Sequence, residues 1–483
     1  MNLTDPSTHD LQALFERQRA ARWDAARSGA AERIRTLRRF RAAILRRSAD
    51  LSHAIHADFG KARLESEITE IHHVIGEIDH TTAHLHRWMQ ERPLPVPALL
   101  AGGRAWVRPE ALGQVLILSP WNYPFGLLMA PLVAAVAAGN VVTLRPSEKV
   151  PHTVRVMQAL ISEVFDPAHV ALVTGPVEMA DALLDFPWDH VFFTGSTAVG
   201  RKIATRAAGH LSSVTLELGG KSPVVLLPDA DATLAGTRVA WAKFLNAGQT
   251  CVSPDHVWLP PALETPFVDA ARAYVARTYG EGSAVQRSPD YARLIDRAAL
   301  TRVAGLVDDA RMAGATLVTG GVTDAPDRFL APTILTGVTP GMAVMQQELF
   351  GPVLPVLRAQ PGEALDWIRA RPKPLALYVF SRSGAAARDV IAQTSAGNTV
   401  VNHGFLNMIH PGLPFGGVGE SGRGQYHGEA GFRTLSHERA VLTQRSWSPA
   451  DLFRPPYARP GVQALWAARR LGDRLRGQDR PRR

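Results

Sequence analysis

The chain has 483 residues, 46% of them hydrophobic and 20% charged, which is enough apolar sequence to bury a large core over two or three domains and rules out a disordered chain. Its single cysteine, Cys251, excludes an internal disulfide and a cysteine-built metal cluster, and no metal is expected. Of the net charge of +9, residues 461–483 supply +5 through seven arginines against two aspartates; without a recognition-helix, zinc-finger or RNA-binding signature, no nucleic-acid partner is expected.

The first residues, "MNLTDPSTHD", contain no apolar signal core, and with the lone thiol they predict a cytoplasmic protein. Residues 10–91 are rich in Arg and Ala and read as helices. Within 16–47, Leu37, Phe40, Ile44 and Leu45 recur at helical spacing, the pattern of a solvated helix packed by one apolar face. The prolines of "RPLPVP" end this region. From Val107 short apolar runs alternate with helical stretches: "GQVLILSP", 127–138, "NVVTLRP", 152–165, "HVALVTG", 177–185, "HVFFTG", 197–208 and "VTLELGG". Strands spaced in this way predict a parallel sheet covered on both faces, which binds ligands at the carboxyl ends of its strands. The longest apolar run, residues 127–138, is too short to cross a bilayer and stops at Gly139-Asn140.

Three segments of this stretch, and a fourth near the start of the second α/β set that follows, can carry chemistry. "SPWNYPFG" fixes Trp121, Asn122 and Tyr123 between prolines after a strand, where an amide could donate to a developing oxyanion or simply make a turn. "HVFFTGSTAVG" is a strand that turns at Gly195 into a helix from about Thr197, with Gly200 in its first turn; such a helix start favours a pyrophosphate, although the spacing is not the dinucleotide fingerprint. "SVTLELGGKSP" alternates Val214, Leu216 and Leu218 on one face and leaves Glu217 on the other, either as a general base at a strand end or as a solvent-facing residue. "GQTCVSPD" carries Cys251, which read alone is more often a small buried hydrophobe than a nucleophile.

A second α/β set follows: "SPVVLLP", a helix at 231–246, "HVWLP", helices at 263–279 and 297–313, "ATLVTGG", "PTILTGV", "PVLPVLR" and "LALYVFS". The Gly-rich stretch 398–435 reads as strand and loop that pack against a subunit partner. In the tail, Ala464, Leu465, Ala468, Leu471 and Leu475 fall on one helical face, with Arg469, Arg470 and Arg476 largely opposite. This helix is too interrupted to span a bilayer; it either lies on an anionic membrane surface or is a docked or frayed end.

Taken together, "LRPSE", "FTGSTAVG", "LELGGKSP", "GQTCV", "QQELFGP" and "LPFGGVGESGRG" stand in an order and spacing that resembles the NAD(P)-dependent aldehyde dehydrogenases from about residue 15 to 445. "KPLALYVFS", "GQYHGEAGF" and "FRPPY" look like the class 3 branch, which includes fatty, aromatic and bacterial coniferyl aldehyde dehydrogenases. The resemblance implies an α/β fold with a Rossmann-like parallel-sheet cofactor domain (1–86 and 107–216), a second α/β catalytic domain (217–397), a small β oligomerisation element (87–106 and 398–445), a basic tail (446–483) and a homodimer. It implies oxidation of an aldehyde, aromatic or medium- to long-chain aliphatic, to the acid. Cys251 would be the nucleophile, Asn122 with the Cys251 N–H the oxyanion donors, and Glu217 the base. The cofactor, NAD favoured over NADP, would meet Trp121, Arg145, Ser147, Glu148, Gly195, Ser196, Gly200 and Leu218, with Glu348 on the nicotinamide ribose and Phe350 against the ring. Arg145 departs from the family's usual Lys and leaves the NAD to NADP preference open. A cysteine hydrolase would need a histidine base that no motif here supplies, and a CoA-acylating relative would typically lack Glu217.

Overall fold

A computed structural model of the protein describes Leu3–Thr4 and residues 6–478. One compact unit takes the chain up to Trp88 and Ala111–Ser436; the other takes Met89–Glu110 and the chain from His437.

The first unit is built on two seven-stranded sheets. In the first, the strands run in the order Leu3–Thr4, Val170–Thr174, Val141–Arg145, Gln114–Leu118, His190–Thr194, Ser213–Glu217, Gly422–Arg423, all parallel except the last. The three central strands are buried along their whole length, the expected state of continuous apolar runs covered on both faces. From Gln114–Leu118 the chain winds outward on one side through Val141–Arg145 and Val170–Thr174, then returns to the other side as His190–Thr194. The strand order therefore reverses between Gln114–Leu118 and His190–Thr194, and the loops leaving these two strands must diverge. They open a crevice at residues 119–122 and 195–196.

The covering helices follow from their patterns. Gly126–Ala138 is apolar all round and is buried at every residue; it stops at Gly139, whose φ of +90° only glycine adopts freely. In Ala30–Arg46 the residues Leu37, Phe40 and Ile44 are fully buried, but Leu45 is 44% exposed, because it sits one step round the helix from Ile44. The same helix is less solvated than its charge predicted: Arg33 is buried and donates to Ala26 O and Ala137 O, each at 2.9 Å. Between Arg63–Ser66 and His72–Trp88 the chain makes a π-helical turn, Glu67–Ile71, that periodicity did not anticipate.

The second sheet has the order Thr316–Thr319, Thr333–Thr336, Val353–Arg358, His256–Leu259, Pro223–Leu226, Ala376–Phe380, Asn398–Val401, parallel apart from the first strand. The Gly-rich stretch 398–435 is thus partly spent inside this unit, one strand on each sheet. It also contains a helix, Gly428–Thr434, where strand and loop were expected. Glycine is needed there for space, since a Cβ on Gly431 would come within 3.0 Å of the Ala134 Cβ.

The second unit holds a three-stranded sheet of Ser436–Thr443, Arg104–Ala111 and Arg92–Leu94, with mostly exposed side chains, and the helix Pro460–Gln478. Ala464, Leu465, Ala468 and Leu471 of that helix are all exposed; the side chains of Leu475 and Arg476 lie outside the described residues. Among the described residues no helix is long and apolar enough to cross a membrane.

Candidate active site

The crevice at the switch point opens into a cleft of about 570 Å³. Trp121 and Asn122 enter it from the loop after Gln114–Leu118, Gly195 and Ser196 from the loop after His190–Thr194, and Glu217 and Leu218 from the end of the next strand. Cys251, Glu348 and Phe350 reach it from loops of the second sheet.

Cys251 follows a backbone that few sequences would adopt. Asn246, Ala247 and Gly248 have φ of 50°, 51° and 73°, three consecutive left-handed residues, and a Cβ on Gly248 would lie 2.2 Å from Gly351 O. Such a turn persists only when its surroundings hold it. Gln249, fully buried, donates to Arg293 O at 2.9 Å and accepts from Ile295 N at 2.9 Å, while its own carbonyl accepts from Asn122 Nδ2 at 3.0 Å. Asn246 Nδ2 closes the loop by donating to Asn122 O at 2.9 Å. The amide of Asn122 has two N–H donors, and one is committed to Gln249; the other remains for a ligand. On the far side, Val252 O accepts from the Tyr378 hydroxyl, and Asp255 binds Lys221 at 3.3 Å and the Leu349 N–H at 3.2 Å, tying the thiol loop to the Glu348 loop.

The Asn122 loop has its own support. Lys61 and Glu70 form a fully buried ion pair at 2.8 Å, with the Lys61 ammonium 3.8 Å from the centre of the Tyr123 ring. The other Glu70 oxygen accepts from Phe125 N at 2.9 Å and Gly126 N at 3.2 Å, two donors that the start of helix Gly126–Ala138 leaves unpaired. Tyr123 OH meets Thr250 Oγ1 at 2.8 Å and so joins the two loops next to Cys251.

Electrostatically the cleft suits acid–base work. Glu217 is 2% exposed, neither carboxylate oxygen has a partner among the described residues, and burial pushes its pKa well above the carboxylate range. Burial also pushes the Cys251 thiol up to about 12, with the Glu348 and Glu217 charges adding to it. Glu348 rises to about 8, from burial first and then from Asp255.

Glycines let the wall of the cleft pack closely. A Cβ on Gly195 would lie 2.4 Å from the Phe193 ring, one on Gly219 2.3 Å from the Glu348 carboxylate, and one on Gly200 2.6 Å from Leu218. Beside them starts the helix Thr197–Gly209, capped by Ser196, and Thr194 Oγ1 is buried without a partner. An anion-favouring helix start and a hydroxyl unspent among the described residues fit the phosphate and ribose portions of a dinucleotide. Phe350, held at φ 44°, meets Trp121 edge-on at 5.6 Å on the opposite side.

Arg145, Ser147, Glu148 and Gly200 do not line this cleft. Arg145 is buried at the end of Val141–Arg145, where it donates to Glu148 at 2.8 Å and to Pro176 O at 2.9 Å. Gly200 packs against Leu218, which lines the cleft. Thr194, Arg302 and Gln347 are lining residues that sequence reading missed. Thr194 had a signal, its place at the strand end before Gly195. Arg302, which donates to Leu349 O at 2.7 Å, had none, being one of several arginines in a helical pattern.

The model of the aldehyde dehydrogenase family matches residues 2–441. The chain belongs to the aldehyde dehydrogenase family. It is 36% identical over 458 residues to 4,4'-diaponeurosporen-aldehyde dehydrogenase of Staphylococcus aureus, covering 95% of this chain and 97% of that protein. It is 40% identical to human aldehyde dehydrogenase family 3 member B1, over 91% and 92% of the two chains. A solved structure described as the substrate-bound state of Staphylococcus aureus AldH superposes with a TM-score of 0.90 at 35% identity, covering 95% of this chain and 99% of that one. This aldehyde dehydrogenase is thus NAD(P)-dependent and class 3-like.

Proposed function

We propose that this dehydrogenase oxidises an elongated, hydrophobic aldehyde to its carboxylic acid through a thioester on Cys251. The observation that carries this reading is the convergence of Cys251, Glu217 and one free N–H of Asn122 on one cleft, from segments far apart in sequence. Because the thiol is held near 12, free thiolate is scarce, and attack on the carbonyl carbon needs a base in step with it. Glu217 takes the thiol proton as the sulfur–carbon bond forms. The oxyanion of the thiohemiacetal is met by Asn122 Nδ2 and the Cys251 N–H. When bound, NAD(P) supplies the acceptor for the hydride that leaves this carbon. Glu217 releases the thiol proton to solvent while the thioester stands, then removes a proton from the water that attacks the thioester; the acid departs as the Cys251 thiolate is released, and Glu217 returns its proton to the sulfur.

The cofactor is held, in this reading, by Trp121, Gly195, Ser196 and Leu218, with Glu348 at the nicotinamide ribose and Phe350 at the ring. Arg145 and Glu148, with Ser147 between them, are assigned to the adenosine end. The Arg145–Glu148 pair supports NAD over NADP, since a guanidinium already bound to a carboxylate and a carbonyl has fewer donors for a 2′-phosphate. Residues 1–86 and 107–216 form the cofactor-binding part and 217–397 the catalytic part; the exposed three-stranded sheet supports a second copy of this chain as partner.

Substrate class is supported by an apolar cavity of about 130 Å³ lined by Tyr123, Leu127, Trp241, Phe405 and Met408 among others. Leu127 borders both this cavity and the Cys251 cleft, so a chain or ring entering here would bring its carbonyl toward the thiol. Oxidation rates for benzaldehydes, cinnamyl aldehydes and aliphatic aldehydes of rising length, read as reduced nicotinamide, test the reading. A rise in kcat/KM with apolar size is expected; activity confined to short polar aldehydes would refute it.

A further inference from the structure

The apolar cavity does not end in an apolar wall. Ile68, His73 and Ile409 also border a second cavity of about 360 Å³, whose remaining lining is His72, Gly76, Glu77 and Pro411. Ile68 and Ile409 are 58% and 65% exposed, so the junction lies at the outer mouth of the passage, away from Leu127 and the thiol. The π-helical turn Glu67–Ile71 displaces Ile68 and Thr69 from the register of His72–Trp88 and sets His73 and Glu77, one helical turn apart, on the chamber side.

The polar groups here are only partly spent on the fold. Glu77 is 5% exposed, and one of its carboxylate oxygens accepts from the Gly428 N–H at 3.0 Å. The His73 ring stands 5.1 Å from that of His427, whose two ring nitrogens are buried and have no protein partner, in a residue held at φ 76°. Burial lowers the pKa of His73 to about 4, so its imidazole is neutral and offers one donor and one acceptor. Glu77 is raised to about 7 and repels an anionic ligand once ionised.

We propose that this chamber is a distal subsite, with His73 as its specificity-determining residue, that takes a terminal hydroxyl on the far end of the aldehyde. A hydroxyl both donates and accepts, matching a neutral imidazole, whereas a carboxylate meets Glu77 and a methyl group makes no hydrogen bond to His73. The assignment rests on the dehydrogenase reading above and adds to it a polar end opposite the carbonyl.

The test compares octanal with ω-hydroxyoctanal, using the kcat/KM ratio within each enzyme so that general loss of activity cancels. The intact protein should prefer the hydroxylated aldehyde about 3- to 10-fold, the worth of one neutral hydrogen bond. His73→Phe should bring the ratio to one or below, and His73→Gln, which keeps a donor and an acceptor, should retain part of it. A ratio of one in the intact protein, or an unchanged ratio in His73→Phe, overturns the proposal. Calorimetric binding of octanol and octanediol gives a second reading that needs no turnover. If neither propanal nor octanal is oxidised, the dehydrogenase reading fails, and tighter diol binding that His73→Phe abolishes would still uphold the subsite; equal binding of the two alcohols would refute it.

Discussion

Replacing Glu217 by Gln changes the charge and little else, and its effects can be worked out from the site. The carboxylate is 2% exposed with both oxygens unpartnered, so Gln occupies the same volume and no protein hydrogen bond is broken. Loss of a positioned base should slow thioester hydrolysis by about 10² to 10⁴-fold, a barrier increase of about 3 to 5 kcal/mol. Because Glu217 also takes the thiol proton, stopped-flow absorbance should show the burst of reduced nicotinamide slowed as well; a burst at the native rate followed by the slow phase would confine Glu217 to hydrolysis. Stability should move the other way. The pKa of Glu217 is raised in the fold, so the folded state holds the proton more tightly than the unfolded chain, and this stabilisation is complete only below the ordinary value of 4.5. It is lost as pH rises, and Gln avoids the loss. Glu217→Gln should therefore melt higher than the native protein at pH 8 and lose the advantage near pH 4. Unchanged turnover together with an unchanged melting curve would remove Glu217 from the site.

Three further outcomes follow from the geometry. Arg145→Lys, which gives up the planar fork but keeps the charge, should shift the NAD to NADP ratio of kcat/KM, and an unchanged ratio would show this position to be silent. In Gly200→Ala the new Cβ, 2.6 Å from Leu218, should push that side chain toward the cleft, raise KM for the cofactor and cost about 1 to 3 kcal/mol of stability; an unaltered KM would place Gly200 outside cofactor binding. Truncation after Pro460 tests the exposed basic helix: loss of sedimentation with anionic vesicles, but not neutral ones, is the outcome expected of a membrane-surface helix, and equal behaviour of both proteins would reject it.

Much of the α/β architecture was legible because buried parallel strands must be apolar throughout, and "VFFTG" or "VVTLRP" has no other economical reading. The switch point was not, since strand order depends on which neighbours pair, and local sequence does not encode pairing. Cys251, Glu217 and Asn122 stood out as chemistry-bearing residues, but their supports did not. The left-handed run Asn246–Gly248 looks like the end of a helix, Gln249 looks like any polar residue, and the buried Lys61–Glu70 pair sits in a stretch whose other charges face water. The helix Gly428–Thr434 was hidden by its glycines, of which Gly431 packs against Ala134 and Gly428 against Pro411 O. Arg145 was legible as a departure from the family pattern, while its commitment to Glu148 and Pro176 arises only in the folded chain.

The central claim is that turnover passes through a covalent bond to Cys251. The most direct measurement is steady-state aldehyde oxidation by purified Cys251→Ala, with cofactor binding followed in the same sample by nicotinamide fluorescence. Oxidation should be abolished while the cofactor still binds, because Gly195 and Ser196, assigned to the cofactor, lie on a segment that does not depend on the sulfur. Substantial NAD(P)-dependent oxidation by the alanine variant would contradict it.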